Sequence, residues 1–77
     1  MSEKYVYHGI DITQDVYEKI KSVVDLLAEK ESIPFEDAYL LFAESSVYKG
    51  LQNTETVYWY ESPEYLVEEY YQKQIKN

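Results

Sequence analysis

Cysteine is absent from this chain of 77 residues, so neither a disulfide nor a thiolate-bound zinc ion can brace the fold. A chain of this length is expected to form one domain, residues 1–77, close to the lower limit for a self-sufficient hydrophobic core. Tyrosine is abundant by contrast, with ten copies. Each large aromatic side chain can bury on the order of 150–250 Å². Packed apolar and aromatic side chains must therefore supply the stability, and the sequence leaves self-association open as a further source.

Arginine is also absent: all seven basic residues are lysines, set against fifteen acidic residues, and the formal net charge is -8. The planar arginine guanidinium is the usual means of recognising phosphate groups and guanine bases, and excess negative charge repels nucleic acids and anionic membranes. The composition therefore argues against direct nucleic-acid binding and against membrane binding. A partner protein with a basic surface is the natural electrostatic complement. The alternative is that the charge only keeps a small, aromatic-rich protein in solution.

Long apolar runs are missing as well. No segment approaches the roughly 20 apolar residues that a membrane-spanning helix requires, and the opening MSEKYVYHGIDI lacks the apolar stretch of a secretory signal. The sequence therefore predicts a cytoplasmic protein. Only two glycines and two prolines accompany a hydrophobic fraction of 45%, which indicates a folded globule rather than a disordered chain.

The clearest helical pattern is DITQDVYEKIKSVVDLLAEKES, where apolar side chains recur at helical spacing and polar ones take the opposite face. Either Asp11 or Thr13 can act as the N-cap of this helix. Asp15 and Lys19 are spaced for an i,i+4 ion pair. The predicted inward-facing residues are Val16, Ile20, Val23, Val24 and Leu27.

A second helix is predicted in SIPFEDAYLLFAESS. Pro34 is suited to the cap or the first helical position, and Glu36 and Asp37 then fall in the first turn, where the helix dipole favours acidic side chains. The run AYLLFA is apolar on nearly every side, so this segment is predicted to be the most buried helix. Its apolar stripe comprises Phe35, Ala38, Tyr39 and Phe42, flanked by Leu40 and Leu41.

A short helix and a loop are predicted to follow. Val47, Tyr48 and Leu51 fit a single short amphipathic helix that Asn53 ends. Residues 52–61 then form a linker, the aromatic loop, for which no helix is predicted.

The last helix is predicted to begin at Ser62-Pro63-Glu64, which combines an N-cap, a proline suited to the first helical position and a first-turn acid. Glu69 and Lys73 are spaced for a second i,i+4 ion pair. The residues predicted to face inward are Leu66, Val67, Tyr70, Tyr71 and Ile75.

The N-terminal arm, residues 1–10, alternates tyrosines with other side chains, so residues 5–8 can form a short strand. The only other plausible strand is residues 56–60, and a two-stranded ribbon between these segments stays open. The predicted fold class is mainly α: a small bundle of three principal helices plus a short fourth helix, with a short N-terminal strand or arm.

No catalytic, metal-binding or cofactor-binding constellation stands out. His8 is the only histidine, and without cysteine it has no second residue of the kind that a zinc site needs. The carboxylate pairs Glu36-Asp37 and Glu68-Glu69 are neighbours on helices, where adjacent side chains diverge by about 100° and do not face one cavity. We therefore expect no enzymatic activity, no cofactor and no metal.

The segment TETVYWYESPEYLVEEYY combines the only tryptophan with tyrosines and glutamates and contains no basic residue. Three consecutive aromatic side chains, Tyr58, Trp59 and Tyr60, cannot all point inward, and tryptophan and tyrosine are over-represented in binding hot spots. With Glu55 and Glu61 beside them, they form the candidate interaction surface. The alternative is that the tyrosines mostly line a small core and reach water only with their hydroxyl groups.

Three segments carry a wider pattern: DAYLLF at 37–42, SVYKGL at 46–51 and SPEYLVEE at 62–69. Together they resemble families of short bacterial proteins that are classed as domains of unknown function. The resemblance implies a small helical protein with no assigned catalytic residues, and some such families are encoded beside toxin-like partners. The loop NTETVYWYE departs from the commoner versions of the pattern.

The function that these features favour is a non-enzymatic, acidic protein-interaction module, an antitoxin-like or regulatory partner of another bacterial protein. A second hypothesis is a small-ligand-binding helical domain, with a tyrosine-lined pocket between the second and last helices. A third is an acidic mimic of nucleic acid, whose carboxylates would form a phosphate-like row in the basic groove of a partner.

Overall fold

The structure, a computed structural model, describes residues 5–75, with side chains as far as Lys73. Residues 1–4 of the predicted arm and the side chain of Ile75 lie outside that range. The described part is mainly α, with four helices and a short hairpin, and the predicted fold class is confirmed. In chain order, the elements are β1 (Val6–Tyr7), β2 (Ile10–Asp11), α1 (Thr13–Glu31), α2 (Phe35–Ala43), α3 (Ser46–Gln52), a 3₁₀ turn at Thr54–Thr56, a second 3₁₀ turn at Tyr58–Tyr60, and α4 (Pro63–Ile75).

The N-terminal segment folds back on itself as a hairpin. β1 and β2 pair antiparallel, with Val6 opposite Asp11. The two turn residues, His8 and Gly9, have φ angles of 51° and 83°, and positive φ at both positions is what a two-residue type I′ turn requires. The ribbon between the arm and residues 56–60, which the sequence left open, does not form, because β1 pairs with β2 instead. A two-residue turn closes a strand pair locally, at a far smaller entropic cost than a partner some fifty residues away.

The start of α1 joins the hairpin to the helices. Asp11 accepts the backbone N–H of Thr13 on its Oδ1 at 3.0 Å, although the cap residue by backbone conformation is Ile12. Thr13 does not cap the helix, because its hydroxyl oxygen accepts the backbone N–H of Tyr5 at 2.8 Å. The expectation of an N-cap at Asp11 or Thr13 is thus met only in part, by the Asp11 side chain.

The core lies where α1 packs against the other three helices. Phe42 is fully buried, and its ring centre lies 5.7 Å from that of Tyr48 and 6.1 Å from that of Tyr70. The buried hydroxyl of Ser45 donates to the carbonyl of Phe42 at 2.6 Å and accepts the N–H of Tyr48 at 3.2 Å, so it caps α3. All inward-facing residues predicted for α1 are buried, and so are Leu66, Val67 and Tyr70 of α4, with Tyr71 half-buried.

The prediction that α2 would be the most buried helix is wrong. α2 packs against α1 and α3, and these helices cover the side of α2 that carries Ala38 and Phe42. Side chains project all around a helix, so a run that is apolar on nearly every side leaves part of itself in water unless neighbours surround it. The exposed apolar side chains of α2 are Phe35 (40%), Tyr39 (38%), Leu40 (63%) and Leu41 (48%).

Three of the predicted helix boundaries, at the start of α2, the end of α3 and the start of α4, are confirmed. Pro34 is the N-cap residue of α2, and Asn53 is the C-cap residue of α3. Ser62 accepts the backbone N–H of Tyr65 on its Oγ at 3.1 Å, and Pro63 is the first residue of α4. These boundaries depend on local backbone chemistry alone, which is why the sequence predicts them.

One of the two predicted i,i+4 ion pairs forms. Lys73 lies 3.7 Å from a carboxylate oxygen of Glu69. Asp15 and Lys19, both among the described residues, do not pair, because the Lys19 ammonium donates to the backbone carbonyl of Glu61 instead. That carbonyl ends the linker between α3 and α4, so Lys19 ties the linker to α1.

Truncating either of two apolar side chains on α2 tests this account of the helix. We expect Phe42→Ala to lower the free energy of unfolding by about 3–5 kcal/mol, because it leaves a cavity in the core. Leu40→Ala on the same helix is expected to change it by no more than about 0.5 kcal/mol, because Leu40 faces water. Urea denaturation followed by circular dichroism measures both, and equal losses would contradict the orientation of α2.

Candidate interaction surfaces

The linker between α3 and α4 consists of two 3₁₀ turns that meet at Val57. Val57 has a φ angle of 53°, a left-handed conformation that is unfavourable for a β-branched residue. Its N–H donates to the carbonyl of Thr54 at 3.2 Å, and its carbonyl accepts the N–H of Tyr60 at 3.0 Å. Strain of this kind, on the order of 1–3 kcal/mol, persists only where the surroundings fix the conformation. The linker is therefore a defined structure that sets the directions of its aromatic side chains.

The three aromatic residues of the linker occupy three different environments. The ring of Tyr58 lies over Gly50 in α3. Trp59 is half-buried: its indole N–H donates to the first backbone carbonyl of the linker's first 3₁₀ turn at 3.1 Å, and its ring centre lies 5.4 Å from that of Tyr7. Tyr60 is 80% exposed. The expectation that at least one of the three reaches the surface is met by Tyr60.

The hairpin supports the linker from the side. The hydroxyl of Thr54 donates to the carbonyl of Val6 at 2.9 Å, and the Gln52 amide at the end of α3 donates to the hydroxyl of Tyr5 at 3.3 Å. With the ring contact between Tyr7 and Trp59, these bonds join the N-terminal strands to the aromatic segment. The hairpin therefore helps to hold the linker in place.

An open groove of about 390 Å³ lies between the second 3₁₀ turn and α1. On the α1 side, the Glu18 carboxylate accepts the Gln14 amide at 2.9 Å. On the linker side, the ring centres of Trp59 and Tyr60 lie 5.8 Å apart at an interplanar angle of 72°. We call this the aromatic groove, and its lining residues are Asp15, Glu18, Lys19, Ser22, Trp59 and Tyr60.

The candidate surface predicted from the sequence overlaps this groove only in part. Trp59 and Tyr60 line it, whereas Tyr58 lies over α3. Glu61 contributes its backbone carbonyl, as the acceptor for Lys19, and the exposed Glu55 does not line the groove. No local sequence pattern predicts the α1 wall, because the contact between α1 and the linker joins residues 42 positions apart.

A second surface, which sequence reasoning missed, is the exposed side of α2 around Leu40 and Leu41, called here the α2 apolar face; Phe35 and Tyr39 lie toward one edge of it. Between Glu31 and Tyr48 the chain contains three acidic residues and no lysine. Residues one turn apart on a helix lie within about 40° of each other around its axis. The acidic residues placed one turn away are Glu36 and Glu44 for Leu40, and Asp37 for Leu41.

Tyr39, at the edge of that face, is held by a second tyrosine. Its hydroxyl lies 3.4 Å from the hydroxyl of Tyr48, and the two rings meet edge to face with their centres 6.3 Å apart. This hydrogen bond, reinforced by burial, raises the pKa of Tyr48 to about 12. Tyr39 therefore presents a ring whose position is fixed before any partner binds.

Three tyrosines of α4 also have raised pKa values. Burial raises the pKa of Tyr71 to about 12, and the hydrogen bond that its hydroxyl donates to Glu31 adds to the shift. Burial, followed by the charge of Glu31, raises the pKa of Tyr70. The charge of Glu69 is the main cause of a raised pKa at Tyr65. These hydroxyl groups stay neutral well above physiological pH.

A second cavity, of about 320 Å³, opens between the end of α1 and α4. The space between α2 and α4, where the sequence placed a tyrosine-lined pocket, contains the contact between the rings of Phe42 and Tyr70. Neither of the two cavities is that pocket, so the ligand-binding hypothesis stays a prediction. The lining residues of the second cavity are Lys30, Val67, Glu68, Tyr71 and Gln72.

The only histidine does not belong to any group of metal-binding side chains among the described residues. His8 is exposed in the hairpin turn, where its ring stacks on that of Tyr7 with the ring centres 4.1 Å apart. Among the described residues, no three histidine, aspartate or glutamate side chains are grouped so as to hold a metal ion. No helix within residues 5–75 combines the length and apolar character needed to cross a bilayer.

Comparison of the chain with protein-family models, with curated proteins and with solved structures gave no match. The resemblance of its DAYLLF and SPEYLVEE segments to bacterial families of unknown function therefore stays a prediction from sequence. The function has to be argued from the two surfaces described above.

The contact between α3 and the linker can be tested at Gly50. Replacing a helical glycine by alanine normally stabilises by roughly 0.5–1 kcal/mol. Here the new Cβ would lie 2.6 Å and 2.7 Å from two ring carbons of Tyr58. We therefore expect Gly50→Ala to destabilise by about 1–3 kcal/mol, measured by thermal or urea denaturation.

The control for Gly50→Ala is the same substitution in a Tyr58→Ala background. With the ring gone, the alanine should regain its helix propensity and stabilise by roughly 0.5–1 kcal/mol. Stabilisation in the background that retains Tyr58 would show that its ring does not lie over Gly50.

The raised tyrosine pKa values predict a loss of stability in alkaline solution. Unfolded tyrosines ionise near pH 10, whereas Tyr48 and Tyr71 hold their protons to about pH 12 in the folded chain. The unfolded state then binds fewer protons, so the free energy of unfolding should fall as the pH rises from about 10 to 12. We expect Tyr71→Phe to make that fall shallower, as measured by urea denaturation at several pH values.

Glu31→Gln is the matched control, because it removes the carboxylate partner of Tyr71 but leaves burial, the larger cause, in place. Its effect on the slope should be smaller than that of Tyr71→Phe. A slope that Tyr71→Phe leaves unchanged would contradict the assignment.

Proposed function

We propose that this chain is a non-enzymatic, acidic protein-interaction module, an antitoxin-like or regulatory partner of another protein. Its main docking surface in this proposal is the α2 apolar face, and the occupant is a basic amphipathic helix of the partner. The observation that carries the proposal is the exposure of Leu40 (63%) and Leu41 (48%) on the side of α2 that faces water. Single exposed apolar residues are ordinary, but a cluster rimmed by polar groups is typical of an interaction site.

The energy available from this face is limited. Burying a large apolar side chain contributes about 1.5–3 kcal/mol, so two leucines that are about half exposed offer on the order of 1.5–3 kcal/mol. An affinity of about 1 μM requires about 8 kcal/mol, after the entropic costs of association. The apolar face alone therefore gives weak binding, and complementary charge has to supply the remainder.

The charges around the face select the partner. Glu36, Asp37 and Glu44 border the leucines, and no lysine intervenes between residues 31 and 48. Two copies of this face would bring six carboxylates together, which opposes self-association. A helix that carries lysine or arginine beside its own apolar stripe would pair with the same carboxylates. Charge therefore favours a basic partner over a second copy.

A helix suits this surface because of its shape. Leu40 and Leu41 project from one helical turn, and side chains on packed helices interlock as ridges and grooves. The ring of Tyr39 is already held by Tyr48, so less side-chain freedom is lost on binding. Recognition of an amphipathic helix through such apolar anchors is a recurrent mode of protein binding.

The proposal is tested with a synthetic helix of about 18 residues, or five turns, with leucines on one face and lysines beside them. We expect it to shift the backbone NMR signals of α2 in the ¹⁵N-labelled protein. Leu40→Ala should weaken binding about tenfold, which corresponds to about 1.4 kcal/mol of lost burial. Ile10→Ala is the matched control and should bind normally, because Ile10 is as exposed as Leu40, 64% against 63%, but lies in the hairpin.

A counterpart peptide with glutamate in place of lysine should bind far more weakly. Equal binding of the two peptides, or signal shifts that avoid α2, would contradict the proposal. Sedimentation analysis tests whether a second copy of the chain binds this face instead. Self-association that Leu40→Ala abolishes would show that a second copy, not a basic helix, covers the face.

A further inference from the structure

We propose that the aromatic groove is a binding site for a cationic side chain, a lysine or arginine from a basic segment of the partner. This inference rests on the proposed function, because the guest belongs to a partner protein. It concerns a different surface from α2, with no residue in common. It assigns a ligand chemistry to the groove.

The aromatic wall suits a cation. Trp59 and Tyr60 both line the groove, and their rings meet at 72°, so they form a corner rather than a parallel stack. Tryptophan and tyrosine rings attract ammonium and guanidinium groups through the negative charge on their faces. Trp59 is fixed by the hydrogen bond from its indole N–H, whereas Tyr60 is 80% exposed and free to cover a guest.

The opposite wall supplies negative charge. Asp15 and Glu18 are three residues apart on α1, so their side chains lie on the same side of the helix. The hydrogen bond that Glu18 accepts comes from the neutral amide of Gln14, so this bond does not neutralise the charge of the carboxylate. A cation lying against the aromatic corner would therefore meet carboxylates on its other side.

Lys19 limits the strength of the site. Its ammonium donates to the carbonyl of Glu61 and so holds the linker against α1. The lining then carries two carboxylates and one ammonium, a net charge of -1. Attraction between exposed charges is modest and is screened by salt, so one cationic side chain binds weakly and a basic segment with several binds better.

The shape of the groove argues for a side chain from a protein rather than for a free metabolite. Its volume of about 390 Å³ is ample for one side chain. Pockets for small ligands usually enclose 70–90% of the ligand surface, roughly, whereas this groove is open to solvent. A guest that remains attached to a larger surface needs no such enclosure, because neighbouring contacts hold it.

Trp59 is the only tryptophan, so its fluorescence reports on the groove directly. The probe is the blocked peptide GKGRGKG, and the control is GQGQGQG, in which glutamine replaces each basic residue. We expect GKGRGKG to change the Trp59 emission in a saturable way at low salt, to lose affinity as salt is added, and to shift the NMR signals of Asp15 and Glu18. GQGQGQG should cause no saturable change.

Four variants separate the parts of the site. Tyr60→Ala should lower the affinity roughly two- to fivefold, whereas Tyr60→Phe retains the ring and should bind normally. Asp15→Asn and Glu18→Gln keep the side-chain shape, and each should lower the affinity roughly twofold and weaken its dependence on salt.

Equal binding of the two peptides, an unchanged affinity in Tyr60→Ala, or no saturable response at low salt would each overturn the inference. Leu40→Ala distinguishes it from the docking proposed at α2, because this variant should bind GKGRGKG normally. Binding of the leucine–lysine helix without binding of GKGRGKG would refute the groove alone. The reverse result would refute the α2 docking surface alone.

Discussion

The structure depends on α1, the longest of the helices in residues 5–75, against which the other three helices and the second 3₁₀ turn pack. A chain of 77 residues has enough material to cover α1 but not enough to cover the elements that cover it. α2 therefore buries Ala38 and Phe42 and leaves its other side in water, even though that side carries Leu40 and Leu41. For the same reason, the groove beside α1 stays open, and only one short turn, which carries Trp59 and Tyr60, borders it on the side opposite α1. Both candidate surfaces are consequences of this one constraint.

The linker shows how a short segment without a long helix or a paired strand can hold a defined shape. Val57 adopts a left-handed conformation that valine disfavours, and the hydrogen bonds of the flanking 3₁₀ turns oppose its relaxation. Lys19 anchors the far end of the linker to α1, and the hairpin braces its near end through Thr54. Because the backbone is fixed, Trp59 is held at the wall of the groove while Tyr60 projects into solvent. A flexible loop would lose more entropy on binding the same partner.

The sequence predicts what local chemistry decides and fails where distant elements meet. The caps at Pro34 and Ser62 follow from backbone preferences within a few residues, and the inward face of α1 follows from its periodicity. The burial of α2 does not, because the run AYLLFA records how apolar the segment is and not how many neighbours cover it. For a related reason the predicted Asp15–Lys19 pair is absent, and the ribbon with residues 56–60, which the sequence left open, does not form. A closer hairpin turn and a distant carbonyl offered better partners. For the site, the sequence identified Trp59 and Tyr60 but not the α1 wall.

The excess of acidic residues and the exposed apolar side chains are related, because the charge opposes self-association through those side chains. An uncharged protein with the same exposed leucines would tend to self-associate, since nothing would oppose contact between identical faces. Carboxylates placed one turn from Leu40 and Leu41 make that contact repulsive while leaving the leucines accessible. Beside the aromatic rings, Asp15 and Glu18 have the same effect. The same charges that discourage a second copy attract a basic partner, so solubility and selectivity have one physical origin. A charge that served solubility alone would not need to border the apolar side chains at both surfaces.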